Sequence, residues 1–543
     1  MENHSVSKGT AILSAAGIIV KVLSIIYIPI LLAIIGDKGY SLYGVSYNIY
    51  AFVYIITNSG IPVALSKLVS ELRAVGNYKD SIKAFKISRS YLLVFGLIFA
   101  VILALMANPL SYFFSHPEIN LALIALSPTL IFTCVTSAYR GYFQGSTNMT
   151  PTAVSQILEQ VVRIIISLPF AYIFLKYSQN LGTAVAAATL GTSVSALSTV
   201  LVLVWFYRKN KFTRHQEYLS QQQNPNVNRL SYNGIIKKIL EYGIPVTICV
   251  GMQNAGNLID IANTMARLIA GGLEDKTASI LQSYLFKSQQ LINVPAAIIV
   301  SLSIAVLPAI SAAVARNEHG EVLKKINFAF RMCFIVSLPA MMGFAVLSKG
   351  IYIAFKYGTG YELLMYGSIT VVLMSVVQIQ SSVLQGLSKL YAVTIFITAG
   401  IVAKIVINYI LIALPSINIY GAIIGSVIGF LIPIYLSNQL IKKTLKVRFS
   451  IVSHTAKPLF SSVIMGVVVL GFYNLLDVIL KINTTSGSNY IKNAITLIFC
   501  IIAGGVVYFV AMAMVGGITK EDVQTFPSRI SRFIPMSFIR LMR

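Results

Sequence analysis

A chain of 543 residues that is 56% hydrophobic and 11% charged, with a mean hydropathy of +0.79, is not an ordinary soluble domain, in which about 25% of residues are charged. The net charge of +25 could suit nucleic acid, but most of the 42 Lys and Arg residues lie in the termini and in the loops after even-numbered apolar runs. That distribution is an orientation signal and an attraction to anionic headgroups, so membrane lipid is the expected partner and nucleic acid is not.

Runs of spanning length are Gly9–Gly36, Leu42–Ser66, Tyr91–Phe114, Leu121–Phe143, Thr152–Leu175, Thr183–Tyr207, Gly243–Ala270, Ile280–Ala309, Phe328–Phe355, Leu364–Leu387, Tyr391–Leu414, Ile419–Leu440, Pro458–Leu480 and Ile491–Val515. Fourteen helices return the chain to the side it started from, and the basic loops make that side the cytoplasm. The first run is too long for a cleaved leader and lacks a small-residue cleavage site.

Taken in order, the first helix carries Lys21 about twelve residues in, which at ~1.5 Å per residue puts the amine some 18 Å deep. A cation there needs a partner or a wet cavity, because its insertion costs ~2.5 to over 10 kcal/mol. After Ser66, the basic stretch Lys67 to Arg89 reads as a cytoplasmic surface helix. Helix four ends at Arg140, near the cytoplasmic face. Helix five carries Glu159 and Arg163 four residues apart, hence on one face, where they can form an ion pair. The polar tract from Arg208 to Lys238 then divides the chain almost equally.

The halves read as a duplication. Gln144-Gly145 corresponds to Gln385-Gly386, Leu181-Gly182 to Tyr420-Gly421, and Pro62-Val63 to Pro308-Ala309, in the same order at similar offsets. Six helices per copy make the repeats parallel, related by an axis along the membrane normal. The expected organisation is a first lobe at 1–207, a cytoplasmic linker at 208–238, a second lobe at 239–442, and helices thirteen and fourteen with a cytoplasmic tail at 443–543. In the second lobe, helix seven carries Asp260 and, near its external end, Arg267; helix eight carries Lys287; helix eleven carries Lys404 and, one turn on, Asn408. Asp260 and Lys404 have similar depths and are expected to pair.

Lys21, Arg140, Arg163, Arg267, Lys287 and Lys404 against Glu159 and Asp260 leave a cationic surplus in a low dielectric, which suits an anionic cargo. Carriers of cations or protons show the opposite balance. Cys134, Cys249, Cys333 and Cys500 are scattered through the spans and the five histidines lie in loops or at span ends, so neither disulfide nor metal site is expected. No phosphate-binding glycine loop is present; no cofactor and no coupling to ATP is expected. An inside-negative potential favours outward movement of an anion by ~2.3 kcal/mol per charge per 100 mV.

Lys21-Val22-Leu23-Ser24, Gly60-Ile61-Pro62-Val63-Ala64-Leu65-Ser66-Lys67-Leu68-Val69-Ser70-Glu71, Arg140-Gly141-Tyr142-Phe143-Gln144-Gly145, Asn148-Met149-Thr150-Pro151 and Glu159-Gln160-Val161-Val162-Arg163 resemble the Gram-positive branch of the MurJ/SpoVB polysaccharide-exporter family, in the MOP flippase superfamily. The resemblance implies an all-α, MATE-like fold of fourteen helices and a flippase rather than an enzyme. It implies lipid II, the undecaprenyl-pyrophosphate peptidoglycan precursor, as cargo, and cell-wall synthesis machinery as a possible partner. It also implies a cationic central cavity that includes Lys21 and Lys287, a tail groove beside the last two helices, and Tyr27 where many Gram-negative relatives carry a second Arg. Lys404 would replace a sodium ion that some relatives hold. Export of another lipid-linked glycan or a spore-cortex precursor, and drug–cation antiport on the same fold, are the other readings; a glycan polymerase would be expected to have larger, more acidic external loops.

Overall fold

The computed structural model describes residues 2–210, 230–316, 318–387, 389–445, 454–480 and 489–517. Most of the linker and the tail predicted from sequence, with Lys446 and Arg448, lie outside the described residues.

Every predicted span falls on a helix, and no strand occurs among the described residues. In a bilayer only a helix satisfies its own backbone along its length. The helices are α1 (Glu2–Asn58), α2 (Gly60–Ala74), α3 (Tyr78–Phe113), α4 (Asn120–Gly145), α5 (Thr150–Ser178), α6 (Leu181–Lys209), α7 (Tyr232–Ala270), α8 (Asp275–Ala315), α9 (His319–Ala354), α10 (Tyr361–Gly367), α11 (Ile369–Gly386), α12 (Leu390–Leu411), α13 (Tyr420–Leu445), α14 (Ala456–Leu480) and α15 (Asn489–Met514).

The first two spans are the arms of α1, which folds back at Gly36, where φ is 67° and ψ −179°. Only glycine adopts that conformation cheaply. The reversal brings the rings of Tyr27 and Tyr43 to 6.3 Å between centroids, although a straight helix would hold them ~24 Å apart. The second arm continues through α2, and the stretch expected as a separate surface helix proves to be the prolongation of two spans. α2 and α3 meet in a turn at Gly76, and α3 starts at the Asn77 cap, whose side chain accepts the Asp80 N–H.

The chain divides into two compact units, Met1–Ser283 and Tyr284–Arg543, with the boundary inside α8. In the first, α3 packs on α4, α4 and α5 on α6, α1 on α5, and α7 on α1 and α2. Small polar residues join α4 to α6: Thr129 and Ser193 hydroxyls lie 2.6 Å apart, and Ser193 also donates to the Ala125 carbonyl at 2.6 Å. Such side chains let membrane helices approach closely. A row of Leu93, Val94, Leu97, Ile98 and Val101 on α3 stays exposed, as lipid-facing side chains do.

In the second unit α12 packs on α13, α11 on α9 and α13, and the last two helices pack on each other and on α9. The Tyr508 hydroxyl donates to the Ile335 carbonyl at 3.0 Å, and Asn493 joins Tyr473 to the Gly350 carbonyl. Cys134, Cys333 and Cys500 are buried free thiols.

The duplication recurs in the packing. A Cβ on Gly145 would strike the Ser66 carbonyl and Val69, and one on Gly386 would strike Ile310 beside the Leu307 carbonyl, each partner 241 residues on from its counterpart. The repeated Gln-Gly therefore performs one task twice: its glycine admits a neighbouring helix in its own unit.

Candidate functional site

In the first unit a polar seam runs between the two arms of α1, α4 and α5. It begins where the Gln160 amide donates to the Ser24 hydroxyl at 2.6 Å. One turn further along both helices, Arg163 meets Tyr27. Its guanidinium lies 5.1 Å from the Tyr27 ring centroid and 5.9 Å from that of Tyr47, and Nη1 donates to the Tyr47 hydroxyl at 3.2 Å. Arg163 is fourteen residues into α5, roughly 20 Å along it. Its Nε and the Tyr27 hydroxyl are buried with no hydrogen-bond partner among the described residues. Tyr27, at the position where the resemblance anticipates a second Arg, thus supports a cation that α5 supplies.

Glu159 does not turn to Arg163 for its hydrogen bond, as the four-residue spacing suggests. Its carboxylate accepts from Arg140 Nη2 on α4 at 2.8 Å, and Arg140 Nε donates to Ser155 at 3.1 Å. The short turn between α4 and α5 sets the two side chains opposite each other, and a guanidinium satisfies a carboxylate best across such a gap. Arg140 is thus the partner of Glu159, and the main carboxylate beside Arg163 is already occupied.

Lys21 shares a face of α1 with Ser24 and is exposed, with no hydrogen bond or ion pair to a described residue. Asp260 is buried at 2% exposure on α7 and Arg267 is half-buried near the end of the same helix. Asp260 belongs to the first unit and Lys404 to the second.

In the second unit Lys287 is fully buried. Its amine donates to the Tyr357 carbonyl at 2.7 Å and lies 4.9 and 5.8 Å from the ring centroids of Tyr284 and Tyr357. Tyr284 in turn shares a hydrogen bond with Thr359. Lys287 therefore ties α8 to the turn between α9 and α10. Lys404 and Asn408 lie on the buried face of α12 against α13, where Gly425 and Gly429 leave room for them. A side chain at Gly429 would strike Lys404, and one at Gly425 would strike Asn408. Counting 241 residues on from Arg163 reaches Lys404, so both units carry a cation at the same register.

The first unit contains one feature that charge counting does not reveal. Tyr40, Tyr43, Tyr47, Tyr50 and Tyr54 line one face of the returning arm of α1, with successive ring centroids 5.7 to 6.3 Å apart. Their alternating spacing of three and four residues is the signal in the sequence.

Comparison with known proteins fits this architecture. The chain is 27% identical over 538 residues to the lipid II flippase MurJ of Bacillus subtilis (strain 168), covering 94% of this chain and 96% of that protein. It is 26% identical over 555 residues to stage V sporulation protein B of the same organism, covering 97% and 98%. Among solved structures, the inward-facing conformation of a multidrug resistance MATE family transporter of the MOP superfamily shares the fold, with a TM-score of 0.64 at 14% identity over 79% of this chain and 96% of that one. A family model described as polysaccharide biosynthesis protein matches residues 6–314, more than half of the sequence, and the chain belongs to that family.

Proposed function

We propose that this protein is a flippase that carries a lipid-linked glycan, with lipid II the first candidate, from the inner to the outer leaflet of a bacterial plasma membrane by alternating access. In this reading both termini are cytoplasmic, and the pyrophosphate is gripped by cations while the polyprenyl tail stays in lipid. Lys21 and Arg163 form the core of the grip; Arg140, Arg267, Lys287 and Lys404 shape the charge around it.

The observation that carries the reading is Arg163. A guanidinium at mid-membrane depth, with a buried Nε facing no acceptor and its neighbouring carboxylate engaged elsewhere, is a receptor for an anion. A drug–cation antiporter would need carboxylates free to receive its cargo, and Glu159 already accepts from Arg140. The likeness to stage V sporulation protein B, as extensive as that to MurJ, supports a spore-cortex precursor as the second candidate.

The test is movement of fluorescent lipid II in vesicles reconstituted with the native protein, Lys21→Gln and Arg163→Gln. Loss of one charged hydrogen bond, about 1.5–3 kcal/mol, is expected to slow transport roughly ten- to a hundredfold. Full transport by both variants at native protein levels contradicts the assignment.

A further inference from the structure

We propose that the tyrosine face of α1 is a rail for sugar: the surface on which the glycan of the transported lipid stacks as it crosses. The inference rests on the flippase reading and specifies which part of the cargo the first unit recognises.

The rail extends from Tyr40 to Tyr54, fourteen residues or ~21 Å of helix, out of a hydrocarbon core of ~30 Å. Tyrosines that anchor a helix gather at the two membrane interfaces; these form a column through the interior. A tightly packed column would be served as well by phenylalanine, which has no hydroxyl to desolvate. Here the column keeps five hydroxyls, and a sixth, on Tyr27, is buried at 1% exposure with no partner among the described residues.

The duplicated scaffold shows that packing does not require these rings. Counting 241 residues on, the equivalent positions of α8 are Leu281, Tyr284, Ser288, Leu291 and Pro295. One tyrosine of five is retained there, so the other four answer to something that the second copy lacks.

A sugar ring offers what such a face accepts: apolar C–H surfaces that lie on an aromatic ring, and hydroxyls that exchange hydrogen bonds with the phenol. Tyr40, Tyr43 and Tyr50 are buried, whereas Tyr47 and Tyr54 are half-buried, so the last two make the contact. Tyr47 also holds Arg163, which places the sugar next to the group that takes the phosphate. The order along the rail matches a cargo whose glycan is joined directly to a pyrophosphate.

The experiment uses the full-length protein in vesicles and two probes, undecaprenyl pyrophosphate without sugar and the same lipid carrying its disaccharide. Tyr54→Leu keeps an apolar side chain but removes the ring; Tyr54→Phe keeps the ring. For Tyr54→Leu the rate ratio of glycosylated to sugar-free lipid is expected to fall about tenfold, the size of one aromatic contact, and for Tyr54→Phe to fall less, about threefold, because the ring stays and one neutral hydrogen bond to the sugar is lost. If Tyr54→Leu slows both lipids in proportion, or leaves both unchanged, the ring belongs to packing and the rail is refuted while the flippase reading stands. If the native protein moves neither lipid, the flippase reading fails first and the rail fails with it.

Discussion

The Arg140–Glu159 pair supports a sharp energetic prediction, because the sequence offers Glu159 a different partner four residues away. The salt bridge is 2.8 Å long, with side-chain exposures of 15% and 30%. At about 4 Å between charge centres and an effective dielectric near 20, the attraction is ~4 kcal/mol. Desolvation and the remaining contact with water return part of it, leaving a coupling of about 2 kcal/mol, or roughly thirtyfold in the unfolding equilibrium. For Glu159 and Arg163 the coupling is expected near ~0.5 kcal/mol, that of an ordinary four-residue helical pair. Two double-mutant cycles measure both quantities: Arg140→Gln with Glu159→Gln, and Arg163→Gln with Glu159→Gln, each followed by graded SDS unfolding in mixed micelles. Equal couplings, or a larger one for Arg163, would refute the placement of Glu159 against α4.

Two further outcomes follow from buried contacts. Lys287→Met strands the Tyr357 carbonyl and is expected to cost about 1–3 kcal/mol of stability and, because it removes one charge around the grip, to slow lipid transport per folded molecule less than Arg163→Gln does; unchanged unfolding would show that the Tyr357 contact does not hold the fold. His116 is 4% exposed with its Nε2 2.7 Å from Gln282 Oε1, which also accepts from the Ser41 hydroxyl. Burial holds its pKa below the usual histidine value of 6.5 against the opposing pull of Gln282, Glu118 and Asp275, with Lys38 adding to the lowering. The unfolded chain therefore takes up the proton first, so the contribution of His116 is complete above pH 6.5 and is lost as pH falls below it, by at most ~1.4 kcal/mol per pH unit. His116→Gln should flatten that limb of a pH–stability curve, and an unchanged curve would show that His116 does not contribute.

The spans were legible because hydrocarbon imposes one rule along the whole of each helix: about twenty apolar residues and no unpaired backbone. The duplication was legible for a related reason, since a glycine that admits another helix, such as Gly145 or Gly386, tolerates no side chain. Partner choice was not legible. Spacing placed Glu159 and Arg163 on one face, which is correct for the backbone, but the turn after α4 delivers Arg140 to the same carboxylate in better geometry. Lys287 illustrates a similar limit: its depth could be counted, but not the turn at Tyr357 that closes over it. The tyrosine row was open to reading at positions 40, 43, 47, 50 and 54. It was missed because hydropathy treats each tyrosine alone, whereas the information lies in the interval between them.

The two units share a scaffold and differ in how they treat the same charge. Arg163 stands on Tyr27 and Tyr47 with a donor unmet, while Lys404, at the matching register, lies on the glycine face of α13 with 9% of its surface exposed. Two parallel lobes related by an axis along the membrane normal can rock against each other to open one face or the other. Identical linings would give the head of a cargo no preferred lobe, so a lobe-specific grip needs an asymmetry. On the proposed reading, that asymmetry comes from side chains placed on an otherwise repeated frame: a guanidinium with a donor unmet and a column of phenols in the first unit, and a lysine packed against a helix in the second. The first unit then recognises the head of the lipid, and the second unit supplies the matching frame against which it moves.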